Sequence, residues 1–532
     1  MRFFNTAGPV KSADHYHIPP LDRLSLDGVL TLIRQKKYFV LHAPRQTGKT
    51  SVLLMLRDLL NAEGHYRCVY ANVEVGQAGR EDTQRAMQAI LGELALRARQ
   101  ARQDEFVEEI WFDALQRYGP DGALRQVLSR WAAADPRPLV LLIDEIDALI
   151  GDTLVSVLRQ LRAGYDMRPE DFPQSVVLCG VRDVRDYRIQ STAENAIITG
   201  GSAFNVKAES LRLGAFSDEE VQTLLAQHTQ ETGQVFTDGA QHAIWEWTQG
   251  QPWLVNALAY EACFKNEAGR DRSRSIDAAA IGAAREQLIV RRETHLDQLA
   301  DKLKEERVRR VVEPLLSGGE AHSLPPDDLM YVRDLGLISP DDPVCIANPI
   351  YREVIPRDLT YTTQATLAQD TAWYVNAAGE LDMGKLLSAF QAFFREHSEH
   401  WVERFQYKEA GPQLLLQAFL QRIVPRFCAG RLRGGRIERE YGLGRLRTDL
   451  LIAWPQGERI RKVAIECKIL HKGLEQTIAV GLEQTAAYMD RCQAEAGHLV
   501  IFDRRVGRRW DDKVFHCRRA ADSGVVIEVW GM

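Results

Sequence analysis

Short apolar runs alternate with helix-period patterns over the first 215 or so residues, the pattern of an α/β domain on a mainly parallel sheet. The apolar runs predict strands at Tyr38–Ala43, Cys68–Val73, Leu139–Ile143, Val176–Cys179 and Phe204–Ala208. From Ser217 to about Val290 the period is helical. Ser217-Asp-Glu-Glu220 opens that region well, because serine caps free N–H groups and acids suit the positive end of the helix dipole. Residues 291–358 predict two or three helices and then DLGLI-SPDDP-VCIANPI, two apolar runs about a turn, which by fold analogy suits the wing of a small winged-helix domain. A polar, Thr- and Ala-rich connector follows, with an amphipathic helix around Lys385–Arg395, and a final domain begins near Trp401. The expected organisation is an α/β core at 1–215, a helical region at 216–290, a winged-helix-like domain at 291–358, a helical linker at 359–400 and a final domain at 401–532.

Composition narrows the class. The chain has 532 residues, too many for one core, with 45% hydrophobic and 26% charged residues as in ordinary globular proteins. No apolar stretch approaches the roughly 20 residues that span a bilayer, and MRFFNTAGPVKSADHYH has no signal-peptide core. A cytoplasmic protein without membrane contact is expected. The eight cysteines are scattered, with no C-x-x-C pair and no zinc spacing, so reduced thiols are expected. The net charge of −6 hides an asymmetry: after residue 400 there are 23 Lys and Arg against 16 Asp and Glu. Eight arginines and two acids fall between Arg422 and Arg447, a patch suited to a phosphate backbone or, alternatively, to a solvated surface.

The chemistry begins at Ala43-Pro44-Arg45-Gln46-Thr47-Gly48-Lys49-Thr50-Ser51, between an apolar strand and the helical run SVLLMLRDLL. The P-loop pattern is G-x-x-x-x-G-K-[ST], here with Ala43 in place of the first glycine. Gly48 lets backbone amides turn toward phosphate, Lys49 can reach the β- and γ-phosphates, and Thr50 offers a hydroxyl to Mg²⁺. In Leu139-Val-Leu-Leu-Ile-Asp-Glu-Ile-Asp147, a buried strand delivers Asp144 to the magnesium shell, with Glu145 beside it as candidate base for an attacking water. ATP and Mg²⁺ are the expected cofactors.

These motifs resemble those of AAA+ and STAND-type P-loop ATPases. More narrowly, FNTAGP, HYHIPP, VLHAPRQTGKTS, GVRDVRDY and SAFNVKAESL resemble the bacterial AAA-like domain family, over roughly residues 1–360. The resemblance implies a sensor position after the strand ending at Gly180, with Arg182 and Asp183 as candidates. It also implies that Gly250-Gln-Pro252 is a lid element with Pro252 near the base or phosphates; a helix-flanking turn explains the same residues structurally. No single arginine finger is identifiable, and Arg45, Arg182, Arg185 and Arg188 are all candidates; one supplied by a neighbouring subunit requires a homo-oligomer, the expected assembly.

A second candidate site lies near the C-terminus. Arg447–Trp454 predicts a strand, Pro-Gln-Gly a turn, and Arg461–Ile469 a second strand. Strand alternation puts Ala464, Glu466 and Lys468 on one face and Val463, Ile465, Cys467 and Ile469 on the other, and Asp449 can face the side of Glu466. Two close carboxylates repel unless a divalent cation joins them, and that cation would also activate water, with Lys468 stabilising charge on phosphorus. This D-x16-E-x-K constellation is similar to that of the PD-(D/E)XK nuclease superfamily, over about residues 401–505. Gln484 and Tyr488, four apart on the next predicted helix, resemble the Q-x-x-x-Y element of RecB-like nucleases. A glutamate is often placed on the family's first helix; here only Glu409 falls just before Leu414–Arg422, with Gln413 and Gln417 nearby. The resemblances together imply a P-loop parallel sheet, a helical lid, a winged-helix domain and a restriction-endonuclease-like α/β domain. They imply an ATP-binding or ATP-hydrolysing protein with a metal-dependent nuclease effector, using Mg²⁺ or Mn²⁺, that cuts nucleic acid (DNA above all) in bacterial defence. The alternative is an ATP-driven oligomerising switch or DNA-loading ATPase whose nuclease-like domain only binds nucleic acid.

Overall fold

The computed structural model describes residues 2–183, 187–191, 196–291, 301–316, 324–359, 374–376 and 380–404, and then 416–417, 419–420, 427–428, 431–432, 436–438, 450–456, 459–470, 473–503, 505 and 508–532. The chain forms two compact units. The first holds Met1–His295, Met330–Asp341 and Ala347–Ile350; the second holds Leu296–Leu329, Asp342–Ile346 and Tyr351–Met532.

In the first unit five parallel strands form one sheet: β1 (Tyr38–His42), β2 (Arg67–Asn72), β3 (Leu139–Asp144), β4 (Ser175–Gly180) and β5 (Lys207–Arg212), in the order β2-β3-β4-β1-β5. The inner strands read as continuous apolar runs because helices cover both faces. On one face Val40, Leu141 and Leu178 meet Ile90, Leu94 and Leu158. On the other, Leu41, Leu142 and Cys179 meet Val52, Leu53 and Leu56 of α1 (Lys49–Glu63), the helix that follows the loop at Ala43. β5 falls three residues after the strand expected at Phe204–Ala208. It is an edge strand whose sequence KAESLR is polar at four of six positions, whereas the apolar residue Phe204 packs in the core just before it.

Helices α2 (Asp218–Thr232), α3 (Asp238–Thr248), α4 (Pro252–Tyr260) and α5 (Ala278–Arg291) follow. Ser217 and Glu220 form the complete capping box at the start of α2. The segment read as a wing has no strand among its described residues. Its two apolar runs meet through one backbone hydrogen bond, Ala347 N–H to Leu337 O at 3.0 Å, and residues 330–341 and 347–350 belong to the first unit.

The second unit contains a mixed six-stranded sheet of β6 (Arg436–Glu438), β7 (Leu450–Gln456), β8 (Arg459–Ile469), β9 (Ala496–Phe502), β10 (Phe515–Ala520) and β11 (Val526–Gly531), ordered β6-β7-β8-β9-β11-β10. β7 runs through Pro455 and Gln456, which pair with Ile460 and Arg459, so the first two residues of the turn expected at Pro-Gln-Gly lie in the strand. Helix α6 (Met383–Arg404) crosses the boundary expected at 400/401. Its Leu386, Leu387, Phe390 and Phe394 pack against Ile465, Val500 and Phe502, so this stretch is core of the second unit rather than linker. The other face is covered by α7 (Leu474–Cys492) through Ile478, Leu482, Ala486 and Met489. Each fully buried aliphatic or aromatic side chain contributes about 1.5–3 kcal/mol, enough for two independent cores.

No helix among the described residues is long and apolar enough to cross a membrane. The described cysteines are free thiols.

Candidate nucleotide site and a second acidic site

β1 ends at His42 and α1 begins at Lys49, so residues 43–48 form a tight loop at the carboxyl edge of the sheet, where α/β proteins bind ligands. Gln46 (φ 58°) and Gly48 (φ 99°) lie in the left-handed region, the second at no steric cost because it is glycine. Lys49 is buried, and its ammonium donates to the carbonyls of Ala43 at 2.8 Å and Pro44 at 3.0 Å. The Thr47 hydroxyl also donates to Pro44 O. Thr50 donates its hydroxyl to Asp144 Oδ2 at 2.7 Å. Asp144 has no exposed surface; Tyr70 donates to the same oxygen at 3.0 Å, and the Glu145 amide donates to the other at 3.0 Å. Glu145 has left-handed backbone (φ 55°) at the strand's end. Burial raises its carboxyl above the usual range, neighbouring Asp147 adds to that, and Lys49 opposes it. Lys49, Thr50, Asp144 and Glu145 are thus gathered at one edge. Ser51 faces elsewhere and accepts from Val10 N–H at 3.0 Å, while Arg45 and Gln46 are exposed.

Arg182 lies between two rings, its Cζ 4.7 Å from the Tyr187 centroid and 4.9 Å from that of Tyr331, both within cation–π range. Asp183 instead pairs with buried Lys207 at 2.6 Å and accepts from Ser210. Pro252 is the first residue of α4, and Gln251 caps it by accepting from Leu254 N–H. Gly250 has φ 71°, and a Cβ there would lie 2.0 Å from Phe216 O, so this glycine has a structural necessity of its own.

Sequence reasoning missed several residues here because they arrive from distant segments. Arg23 donates to Thr47 O and Gly214 O. Gly336 sits against the Pro44 ring, with a hypothetical Cβ 2.7 Å from it. Asp334 approaches His42 Nδ1 at 3.9 Å, and burial brings the His42 pKa down to about 4, with Asp183 opposing. None of these contacts has a local motif that would have announced it.

In the second unit, Glu466 and Lys468 lie on the α7 side of β8 with Ala464, as alternation requires, and Ile465 and Cys467 face α6. Glu466 is 1% exposed, and Lys468 donates to its Oε1 at 2.6 Å. A carboxylate buried mid-strand is costly without such a partner. Gln484 Oε1 on α7 is buried with no hydrogen-bond partner among the described residues, and Tyr488 is buried in the same core. Asp449 lies outside the described residues, as does Glu409; the described pairing of β7 with β8 starts at Leu450–Ile465. Among the described residues no three His, Cys, Asp or Glu form a metal-binding group. Of the expected triad, Glu466 and Lys468 are therefore together and the third member is not described.

The sheet, the loop and the Thr50–Asp144 pair define a P-loop domain. Residues 33–187 match the protein family described as an AAA domain. No curated protein matches the chain. Among solved structures it is similar to a Walker-type ATPase of Pyrococcus abyssi (14% identity, 66% of this chain and 99% of that one, TM-score 0.44). It is also similar to Cdc6p from Pyrobaculum aerophilum (14%, 79% and 98%, 0.37). A third is the Thermotoga maritima RuvB Holliday junction branch migration motor (14%, 64% and 98%, 0.34).

Proposed function

We propose that this protein binds and hydrolyses ATP at the Ala43–Ser51 loop and uses the nucleotide cycle to control a metal-dependent nuclease in its C-terminal unit. The observation that carries the first half is the 2.7 Å contact of the Thr50 hydroxyl with the Asp144 carboxylate beside buried Lys49. Two adjacent hard oxygen donors, one at a strand end and one in the first turn of α1, fit Mg²⁺, which Thr50 and Asp144 would hold and which would neutralise phosphate charge when bound. Lys49 exchanges the carbonyls of Ala43 and Pro44 for β- and γ-phosphate oxygens. Glu145 accepts a proton from the water that attacks the γ-phosphorus, and ADP leaves with the broken P–O bond. Arg182 and Pro252 are assigned to phosphate sensing and lid contact.

The nuclease half is supported by Glu466 and Lys468 sharing one face of a buried strand, and by the basic composition after Arg422. Asp449 and Glu466 are the proposed carboxylate ligands, Gln484 a proposed substrate or metal-water contact, and Mg²⁺ or Mn²⁺ the proposed metal. DNA in bacterial defence is the proposed target, acted on by a homo-oligomer. Phosphate release from ATP tests the hydrolytic core: Glu145→Gln is expected to lower turnover at least about 100-fold with ATP still bound. Equal turnover in both proteins sinks Glu145 as base. The Lys468–Glu466 ion pair also suits a second reading, a binding-only domain on an ATP-driven switch, in which nucleic acid is retained and no strand is cut.

A further inference from the structure

Arg23 is a cation built into the P-loop from outside it. Its two described hydrogen bonds go to carbonyl oxygens, Thr47 O in the loop and Gly214 O at the entry to the helical lid. Its Nε is buried with no hydrogen-bond partner among the described residues. Glu220 is the neighbouring acid, but it is engaged in the capping box, accepting from Ser217 N–H at 2.7 Å. The guanidinium also lies over the Phe216 ring at 4.7 Å, and Phe216 N–H donates at 2.8 Å to Gly250 O, in the turn that leads to Pro252. A Cβ on Gly48 would lie 3.0 Å from Arg23 Nη1, so the guanidinium rests directly on the loop's left-handed glycine.

The Thr47–Gly48 peptide is trans; the cis bonds among the described residues lie elsewhere. In a trans peptide the C=O and N–H point in opposite directions. Holding Thr47 O with a cation therefore aims Gly48 N–H to the other side of the loop and polarises it for an anion. We propose that Arg23 is a positioning residue that sets the Thr47–Gly48 peptide for phosphate and ties it to the lid entry at Gly214, so that one guanidinium couples nucleotide binding to the lid. The proposal rests on nucleotide binding at this loop and goes beyond it by naming what links loop to lid.

The experiment uses the full chain and its Arg23→Gln, Arg23→Lys and Lys49→Ala variants. Fluorescent ATP and ADP are titrated with Mg²⁺, and amide exchange is followed at 46–50 and 213–217 with and without ATP. Hydrogen bonds to charged groups set the expected scale. Arg23→Gln weakens both nucleotides about 10- to 100-fold and removes the ATP-dependent protection at 213–217. Arg23→Lys keeps a cation for one carbonyl but cannot fork to two, so affinity recovers to within about 5-fold while lid-entry protection stays lost. Arg23→Gln that binds within about 3-fold of wild type and protects 213–217 equally overturns the coupling. Should Arg23→Gln fail to fold by its melting curve, Arg23→Lys with wild-type affinity and protection overturns it instead. Wild type binding no better than Lys49→Ala overturns the nucleotide reading itself, a separable failure.

Discussion

Replacing Lys468 with Met tests whether the Glu466 pair is an energetic unit. The substitution keeps the stem's length and removes the ammonium 2.6 Å from a carboxylate that is 1% exposed. A hydrogen bond to a charged group contributes about 1.5–3 kcal/mol. The lysine side chain is 27% exposed, so water screens part of the interaction and the lower end applies, about 1.5–2 kcal/mol. Glu466→Gln with Lys468→Met removes both charges together and is expected to recover much of the loss. Urea unfolding of the full chain, followed through buried Trp454 and Trp530, reads both variants. Mn²⁺ at about 100 times its dissociation constant should add about 2.7 kcal/mol to wild type and nothing to the Glu466→Gln protein. Lys468→Met unfolding within about 0.5 kcal/mol of wild type, or equal Mn²⁺ stabilisation of Glu466→Gln, refutes the reasoning.

Acid sensitivity should follow His498, which accepts from Trp530 Nε1 at 3.1 Å and whose pKa burial lowers to about 4. The unfolded chain binds the extra proton between about pH 6.5 and 4, so stability falls as pH drops through that window, by up to about 3 kcal/mol, and is unchanged by this group above it. His498→Gln should flatten that slope in unfolding curves, and an unchanged slope contradicts the assignment. Because the Glu145 carboxyl is raised by burial, ATP turnover should fall on acidification at a higher pH than an ordinary carboxylate dictates; a pH–rate profile checks this, and a midpoint at or below about pH 4.3 counts against it. Gly250→Ala places a Cβ 2.0 Å from Phe216 O at φ 71°, so a loss of at least about 2 kcal/mol is expected in thermal unfolding, and a neutral result would mean the turn relaxes freely.

What the sequence disclosed was local. The P-loop and the strand bearing Asp144 are contiguous motifs, and the period of two along β8 sorted Glu466 and Lys468 from Ile465 and Cys467 correctly. The Ser217 cap was legible because all its partners lie within four residues. Edge position defeated the reading of β5: with one side open, its pattern turns polar, and the apolar Phe204 drew the expectation three residues early. The α6 helix was seen around Lys385–Arg395, but its polar flanks hid that its apolar face completes a sheet core far along the chain. Arg23, Asp334 and Gly336 reach the loop at Ala43 through tertiary contacts, for which a single sequence carries no signal.

Whether ATP controls a nuclease in this chain is decided by cleavage of supercoiled plasmid by the purified full chain with Mg²⁺ or Mn²⁺, with and without ATP, beside Lys468→Ala and Lys49→Ala. Wild type is expected to nick the plasmid in a metal-dependent way that changes with ATP, Lys468→Ala to cut nothing although its ATP turnover persists, and Lys49→Ala to lack the ATP response. Equal cutting by wild type and Lys468→Ala, or plasmid binding without any nicking under either metal, would contradict a nuclease under ATP control.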